Sequence, residues 1–180
     1  MNRKAFFIAG IVISLGLIVI MIYGLFFASN PNSIPSALID KKAKPFTATT
    51  FFGQDINLKM FLGKPVVLNF WASWCVACRA EARILEAAHQ QYTPKGAVFI
   101  GIAINDTTAD SLRFIAKYNK TYLLAPDDQL GTISLDYGVT AVPETFFIDK
   151  QGFIRDKVLG SVHFTKIRDF LNEQLEISGN

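Results

Sequence analysis

The chain has 180 residues, of which 51% are hydrophobic, and its formal net charge is +3 at pH 7. Of the 18 basic residues, Arg3 and Lys4 precede an apolar N-terminal segment, and the other 16 stand against 15 acidic residues. This near-neutral remainder lacks the electropositive surface with which proteins bind nucleic acid, so no nucleic-acid partner is expected. The roughly 145 residues after the N-terminal region are a common length for one globular domain.

The N-terminal segment at residues 5–28 has no charged side chain. About 20 apolar residues span a bilayer as a helix, whereas a cleaved signal peptide has a shorter apolar core of about 7–15 residues. The composition therefore predicts an uncleaved, single-pass signal anchor. Because Arg3 and Lys4 lie on one side of it, the positive-inside rule predicts a cytoplasmic tail at 1–4 and a domain outside. Residues 29–37 are predicted to be an extended linker, which in a bacterium leads into the oxidising periplasm.

The domain predicted at residues 38–176 alternates strand and helix patterns. In chain order we predict a hairpin at 45–58, a strand at 66–71, a helix from about 75 to 93, a strand at 98–104, a helix at about 108–118, a strand at 122–124, a short helix at 131–137, a hairpin at 145–159 and a helix at 164–176. Within the helix at 108–118, we expect Leu112, Ile115 and Ala116 to face the core. The order βαβα followed by ββα predicts a thioredoxin-like α/β fold, in which parallel crossovers precede an antiparallel hairpin and helices flank a mixed sheet.

The only two cysteines of the chain, Cys75 and Cys78, lie where the strand at 66–71 is followed by a helix. Cysteine reacts as the thiolate, and a helix N-terminus offers unpaired N–H groups and a partial positive charge that stabilise it. Cys75 lies nearer that end and is expected to be the more exposed sulfur, so we predict that it is the attacking nucleophile. Cys78, one turn further on, would resolve the mixed disulfide.

Two other interpretations of the cysteine pair are less well supported. A structural disulfide across so short a loop would stabilise the fold only slightly through chain entropy. A zinc site needs about four ligands, and the only histidines are His89 and His163, which we interpret as ordinary surface or partly buried residues. No metal and no cofactor is therefore expected.

Two further positions are ambiguous from the residues alone. Glu81 lies three residues beyond Cys78, on the same helical face. A carboxylate there would raise thiol pKa values or carry protons, but the neighbouring Arg79 and Arg83 favour a solvated helix residue. Pro143 precedes a strand and is more simply a turn residue, since cis bonds are a small minority of X–Pro bonds.

Two segments of the domain resemble a known family. Residues 68–81, which contain Trp-Cys-Val-Ala-Cys-Arg-Ala-Glu, resemble the active-site segment of membrane-anchored thioredoxin-like reductases of cytochrome c maturation. Residues 137–149, which contain Gly-Val and Pro-Glu-Thr-Phe, resemble the second signature of the CcmG/DsbE branch rather than that of ResA or TlpA relatives. The similarity extends over about residues 38–176.

The resemblance implies roles that the spacing alone does not. Pro143 would be a cis-proline whose loop, with Val142, faces the cysteines and holds a client strand, and Glu144 would lie beside the active site. Glu81 matches an acidic residue that tunes these reductases, and Asn69 replaces a buried aspartate of thioredoxin, so proton handling would pass to Glu81. The predicted catalytic residues are Cys75, Cys78, Glu81 and Glu144, and the predicted client-binding residues are Trp74, Val142 and Pro143.

The implied function is reduction of the disulfide in the haem-binding motif of apocytochrome c, directly or through a partner. Electrons would come from a membrane dithiol donor of the DsbD or CcdA kind. The sequence departs from the branch at two places near the site, so the identity of the client is not fixed by the resemblance. Ala82 replaces a common histidine, and residues 140–142 are Thr-Ala-Val rather than Tyr-Gly-Ala. The alternatives are a general extracytoplasmic reductase or oxidase of the ResA/TlpA type, a haem or copper delivery module, and a peroxidase on the same fold.

Overall fold

The computed structural model describes residues 3–27 and 37–176. The chain divides into two compact units with a boundary between residues 35 and 36. The described part of the first unit is one helix, α1 (Arg3–Phe27). Among the described residues, no helix combines the length and the hydropathy that a bilayer crossing requires. Two residues of the predicted tail at 1–4, and the predicted linker at 29–37 except for its last residue, lie outside the described residues.

The second unit contains seven strands and four helices in its described residues. In chain order these are β1 (Thr47–Thr49), β2 (Asp55–Asn57), β3 (Val66–Trp71), α2 (Val76–Tyr92), β4 (Val98–Ala103), α3 (Thr108–Tyr118), β5 (Leu123–Pro126), α4 (Thr132–Asp136), β6 (Glu144–Ile148), β7 (Ile154–Leu159) and α5 (Phe164–Glu176). A 3₁₀ turn at Leu58–Phe61 follows the β1–β2 hairpin, and another at Thr93–Lys95 follows α2.

The main sheet has the strand order β5-β4-β3-β6-β7. β3 pairs in parallel with β4, and β4 in parallel with β5. β6 pairs antiparallel with both β3 and β7. The predicted thioredoxin-like arrangement, with parallel crossovers first and an antiparallel hairpin closed by a helix afterwards, is therefore confirmed.

The core lies on both faces of the central strand β3, all six of whose side chains are buried. Val67 and Trp71 pack with residues of α2, α3 and α5. Leu68 and Phe70 pack on the opposite face against the β1–β2 hairpin and α4. Because β3 ends where α2 begins, this buried strand fixes the position of the first turn of α2.

The inward face of α3 differs from the predicted one. Of the three side chains expected in the core, only Ile115 is buried, while Leu112 and Ala116 are exposed. Phe114 sets the rotation of the helix, because its ring stacks on Trp71 with a centroid separation of 4.8 Å. An aromatic pair of this kind buries more area than Leu112 and Ala116 together would.

Candidate active site

Cys75 is the N-cap residue of α2, with an extended backbone at φ −74° and ψ 119°. Its Sγ accepts a hydrogen bond of 3.0 Å from the amide of Cys78, and the two side chains form a disulfide. Cys75 is 5% exposed and Cys78 is 2% exposed, so the expected difference in exposure is small in this oxidised form. The helix amide aimed at the Cys75 sulfur would stabilise its thiolate after reduction.

The loop before β6 faces the disulfide. The Val142–Pro143 peptide bond is cis, as the resemblance implies and in contrast to the trans form that the residues alone suggest. The carbonyl oxygen of Val142 lies 3.5 Å from the Sγ of Cys75. Ala141 is exposed beside these residues, so part of the loop next to the sulfur faces solvent.

Glu81 is buried beneath the cysteine pair, with 1% of its surface exposed. One carboxylate oxygen accepts a 2.8 Å hydrogen bond from the Val162 amide, and the other accepts a 2.9 Å bond from Nδ2 of Asn69. The interpretation of Glu81 as a solvated helix residue is therefore wrong, because β3 and the loop before α5 cover this face of α2. Burial raises the pKa of Glu81 to about 7, against the opposing effects of these hydrogen bonds and of the charge of Lys120.

Glu144 is also buried, but its carboxylate lies away from Glu81. Oε1 accepts hydrogen bonds from the amide and hydroxyl of Thr140, at 3.0 and 3.1 Å, and from the amide of Ala141 at 3.3 Å. Oε2 pairs with Nζ of Lys157 at 2.7 Å. Along β6, Glu144 has the same parity as Phe146 and Ile148, so it lies on their face of the sheet, opposite to α2. Glu144 thus fixes the loop before Pro143, and its catalytic role stays a prediction.

The turn between β3 and α2 is held from the side by an aspartate. Asp106 accepts hydrogen bonds from the amide and hydroxyl of Ser73, at 2.7 and 2.8 Å, and from the hydroxyl of Ser111 at 3.0 Å. Trp74, predicted to contact the client, is 56% exposed. Its indole nitrogen donates to the carbonyl of Asn105 at 2.9 Å, so the ring has a fixed orientation next to Cys75.

The described residues thus bring most of the predicted site residues to one edge of the sheet. The group comprises Cys75, Cys78, Val142 and Pro143, with Trp74 adjacent and Glu81 below. In the described ranges, no three His, Cys, Asp or Glu side chains cluster in a way that would hold a metal ion.

Comparison with known proteins identifies this arrangement. Residues 39–157 match the AhpC/TSA family. The thiol:disulfide interchange protein DsbE of Pseudomonas fluorescens biotype C is 36% identical over 157 residues, which are 86% of this chain and 85% of that protein. The chain belongs to the AhpC/TSA family, among its DsbE-type thiol:disulfide interchange proteins. The resemblance to the CcmG/DsbE branch is thereby confirmed.

Other DsbE-like proteins agree on the chemistry. The thiol-disulfide oxidoreductase ResA of Bacillus thuringiensis subsp. konkukian is 32% identical over 135 residues, 75% of this chain and 78% of that protein. The structure of dsbF from MTB, described in mixed oxidised and reduced forms, is 31% identical with a TM-score of 0.66, over 72% of this chain and 94% of that one. Thiol–disulfide exchange through Cys75 and Cys78 is therefore the chemistry of this DsbE-type chain.

Sequence reasoning missed three residues of the site region. Asp106 follows β4 at the carboxyl edge of the parallel strands, where α/β proteins place functional side chains, and this position was its only signal. Lys120 is buried beside Trp71, and Lys157 is the partner of Glu144. No local pattern predicts that either lysine is covered, because the covering residues come from distant parts of the chain.

Replacement of Asp106 by alanine is expected to destabilise the domain by about 2–3 kcal/mol, because its carboxylate loses the hydrogen bonds from Ser73 and Ser111 and from the amide of Thr107 at once. Urea denaturation followed by tryptophan fluorescence measures the change. The Asp169→Ala variant removes an exposed carboxylate that pairs with neighbouring Arg168 and should change stability by less than about 0.5 kcal/mol. Equal effects of the two variants would contradict the assigned role of Asp106.

Replacement of Glu144 by alanine leaves the largely buried Lys157 without its carboxylate and is expected to cost about 3 kcal/mol. The Glu144→Ala/Lys157→Met double variant should recover part of this loss. Because Glu144 fixes the loop before Pro143, both variants should bind a client more weakly. The midpoint of the pH dependence of the reduction rate should stay unchanged. A shift of that midpoint in the double variant would instead support a direct catalytic role for Glu144.

Proposed function

We propose that the chain is a membrane-anchored dithiol reductant of c-type cytochrome biogenesis. Its substrate would be the disulfide in the haem-binding motif of apocytochrome c, met directly or through a maturation partner. The observation that carries the proposal is the position of the Cys75–Cys78 pair, above the buried carboxyl of Glu81 and against the cis-Pro143 loop. The DsbE relatives support the reaction class, and the segment at 137–149 supports the cytochrome c branch.

The reaction consists of two exchanges. In the reduced protein, the Cys75 thiolate attacks one sulfur of the client disulfide, which breaks and leaves a client thiolate and a Cys75–client mixed disulfide. Cys78 then loses its proton, and its thiolate attacks the Sγ of Cys75. The second client sulfur leaves, so two electrons have passed to the client and the protein holds the Cys75–Cys78 disulfide. The client thiolates take up protons as they are released.

Glu81 would accept the proton that Cys78 must lose. It lies one helical turn from Cys78 and is shielded from bulk water. With a pKa of about 7, its carboxyl is partly ionised at neutral pH and can both take up and release a proton, which is the condition for efficient general acid–base catalysis. Below pH 7 it is increasingly protonated and cannot accept the proton, so reduction should slow.

The client would bind across the loop at 140–143. The carboxylate of Glu144 fixes the amides of Thr140 and Ala141, so the shape of the loop is set before a client arrives. Trp74 offers an exposed, oriented ring on the other side of Cys75. Preorganised backbone and an aromatic surface favour an extended peptide that carries its cysteine toward the Cys75 sulfur.

Membrane attachment is part of the proposal and is supported by the sequence. The uncharged segment at 5–28 would be the single-pass anchor, with residues 1–4 in the cytoplasm and the domain at the periplasmic face of the inner membrane. In that compartment the cysteines would stay oxidised without a source of electrons. A membrane dithiol donor of the DsbD or CcdA kind would supply two electrons for each turnover.

A second candidate is a general extracytoplasmic reductase or oxidase, which the similarity to ResA favours. Rescue of covalent haem attachment in bacteria lacking their own cytochrome c maturation reductant separates the two functions. The full chain should restore c-type cytochromes, and its reduction potential should lie below about −180 mV. A potential near about −120 mV, as in strong oxidants, together with failed rescue would contradict the reductase function.

A further inference from the structure

Lys120 is a lysine at a position that helix-capping geometry usually gives to an apolar residue. It follows Asn119, whose left-handed backbone (φ 49°) ends α3. The amide of Lys120 donates to the carbonyl of Ile115 at 3.0 Å, and that of Asn119 donates to Ala116 at 3.3 Å. This pair of bonds is a Schellman motif, in which the second residue beyond the helix turns back toward the protein interior. The motif therefore directs the Lys120 side chain inward, and only 4% of its surface is exposed.

Three aromatic rings surround the ammonium group of Lys120. Its Nζ lies 4.3 Å from the ring centroid of Trp71, 5.0 Å from that of Tyr122 and 5.3 Å from that of Phe114. Gly101 leaves room for these rings, since a Cβ there would lie 3.0 Å from Nε1 of Trp71 and 3.1 Å from Cε2 of Tyr122. Such an enclosure stabilises a cation but also removes it from water. The electrostatic attraction between the cation and a nearby anion is therefore stronger than it would be in water.

Glu81 is a buried acidic residue on the same face of the sheet as Lys120. Lys120 covers Trp71, and Glu81 is bonded to Asn69, which is the preceding residue on that face of β3. Burial lowers the pKa of Lys120 to about 7, and the charge of Glu81 opposes this decrease. Burial raises the pKa of Glu81 to about 7, and the charge of Lys120 opposes that increase. Each group thus favours the charged form of the other.

The other titratable groups near Lys120 come from α2, α3 and the residue before β5. Glu86 of α2 also favours the charged lysine, but it is only half-buried and is bonded to the amide and hydroxyl of Thr121. The remaining groups are His89 of α2, Tyr118 of α3 and Tyr122, which precedes β5. The covering residues from β3 and β4 are uncharged, so Glu81 is the one fully buried acidic partner among these described neighbours.

We propose that Lys120 is the buried counter-charge of Glu81 and sets the pH range over which Glu81 can take a proton from Cys78. Lys120 is a positioning residue in this scheme, because it acts through Glu81 and not on the sulfurs. The kinetic consequence rests on the proposed function, whereas the coupling between the two charges does not. When Lys120 is neutral or absent, Glu81 stays protonated to higher pH and the exchange step loses its base.

The Lys120→Met variant of the full chain in detergent micelles tests the coupling without any client. Carbon-13 NMR of the Glu81 carboxyl, recorded from pH 5 to 9, should show a midpoint about one pH unit higher than in the unchanged protein. The matched control is Lys95→Met, which removes an exposed lysine stacked on the ring of Tyr92 and should leave the Glu81 midpoint in place. An unchanged Glu81 midpoint in folded Lys120→Met protein overturns the proposal.

If Lys120→Met does not fold, the reciprocal variant gives the same answer, because coupling between two sites is mutual. In Glu81→Gln protein, nitrogen-15 NMR of the Lys120 ammonium should show a lower midpoint than in the unchanged chain, and an unchanged midpoint overturns the proposal. Kinetics then test the proposed function separately. Below pH 7, Lys120→Met should reduce a client disulfide about tenfold more slowly, because one pKa unit is a tenfold change in ionised Glu81. A shifted Glu81 midpoint with an unchanged rate supports the coupling and contradicts the proton-accepting role of Glu81.

Discussion

The Cys75→Ser variant is expected to lose disulfide reduction by at least about 10³-fold, because removal of an enzyme nucleophile eliminates the covalent route altogether. Cys75 is the residue that caps α2 and accepts the amide hydrogen bond of Cys78. It also lies next to the carbonyl of Val142 on the facing loop. A serine hydroxyl can occupy the same cap position, so the fold should persist while the chemistry is lost. Stopped-flow measurement of tryptophan fluorescence during reduction of a disulfide peptide gives the rate.

The Cys78→Ser variant is the matched control, since it removes the other sulfur from the same helix turn. Turnover should also stop, but Cys75 should still form one mixed disulfide per chain with the peptide. Mass spectrometry of the acid-quenched mixture detects this adduct. If Cys75→Ser protein accumulates the adduct through Cys78 and Cys78→Ser protein does not, the assignment of nucleophile and resolving cysteine is reversed.

The Glu81→Gln variant is expected to slow reduction by about 10²-fold near neutral pH, the lower end of general-base effects. Below the raised pKa of about 7, Glu81 becomes protonated and the unmodified protein should reduce disulfides more slowly. Its reduction rate should therefore rise as the pH increases through 7. The variant should lack this rise. Stopped-flow rates from pH 5 to 9 measure both effects, and Glu173→Gln, which alters an exposed carboxyl on α5, should reproduce the original profile. A rise through pH 7 that persists in Glu81→Gln would contradict the role of Glu81.

The same substitution should change how the stability of the oxidised protein depends on pH. The pKa of Glu81 is about 7 in the fold against 4.5 in an unfolded chain, so the folded state holds this proton more tightly. Stability from this group is therefore lost as pH rises from 4.5 to 7, by up to about 3 kcal/mol. In Glu81→Gln that loss should be absent, so the difference between the two unfolding free energies should grow over this interval. Urea denaturation at a series of pH values measures it.

The parts of the fold that sequence patterns predicted are those governed by local chemistry and apolar runs. The largely apolar runs at 66–71 and 98–104 predicted strands, and both are interior strands of the sheet. The strand–helix junction at Cys75 followed from the position of the cysteines, and the last helix, α5, begins and ends where expected. The rotation of α3 did not follow, because the contact between Phe114 and Trp71 joins residues 43 positions apart in the numbered chain.

The local sequence did not predict which charged side chains are buried. Glu81 lies between Arg79 and Arg83, which suggests solvent, yet the Val162 amide and Asn69 reach it from distant elements. Lys120 has no local pattern that predicts its burial at all. Resemblance to known reductases predicted a role for Glu81 and the cis peptide bond before Pro143, of which the cis bond is confirmed, because family patterns carry long-range information that helix and strand periodicity does not contain.

The central claim is that Cys75 reduces the haem-binding disulfide of apocytochrome c. The measurement that tests it most directly is capture of clients by the full-length Cys78→Ser chain in bacteria that make c-type cytochromes, with acid quenching, alkylation and mass spectrometry. The predicted result is a mixed disulfide between Cys75 and a cysteine of the haem-binding motif, or of a maturation partner bound to it. Capture only of secreted proteins unrelated to cytochrome c, with haem attachment unaffected by loss of the chain, would contradict the claim.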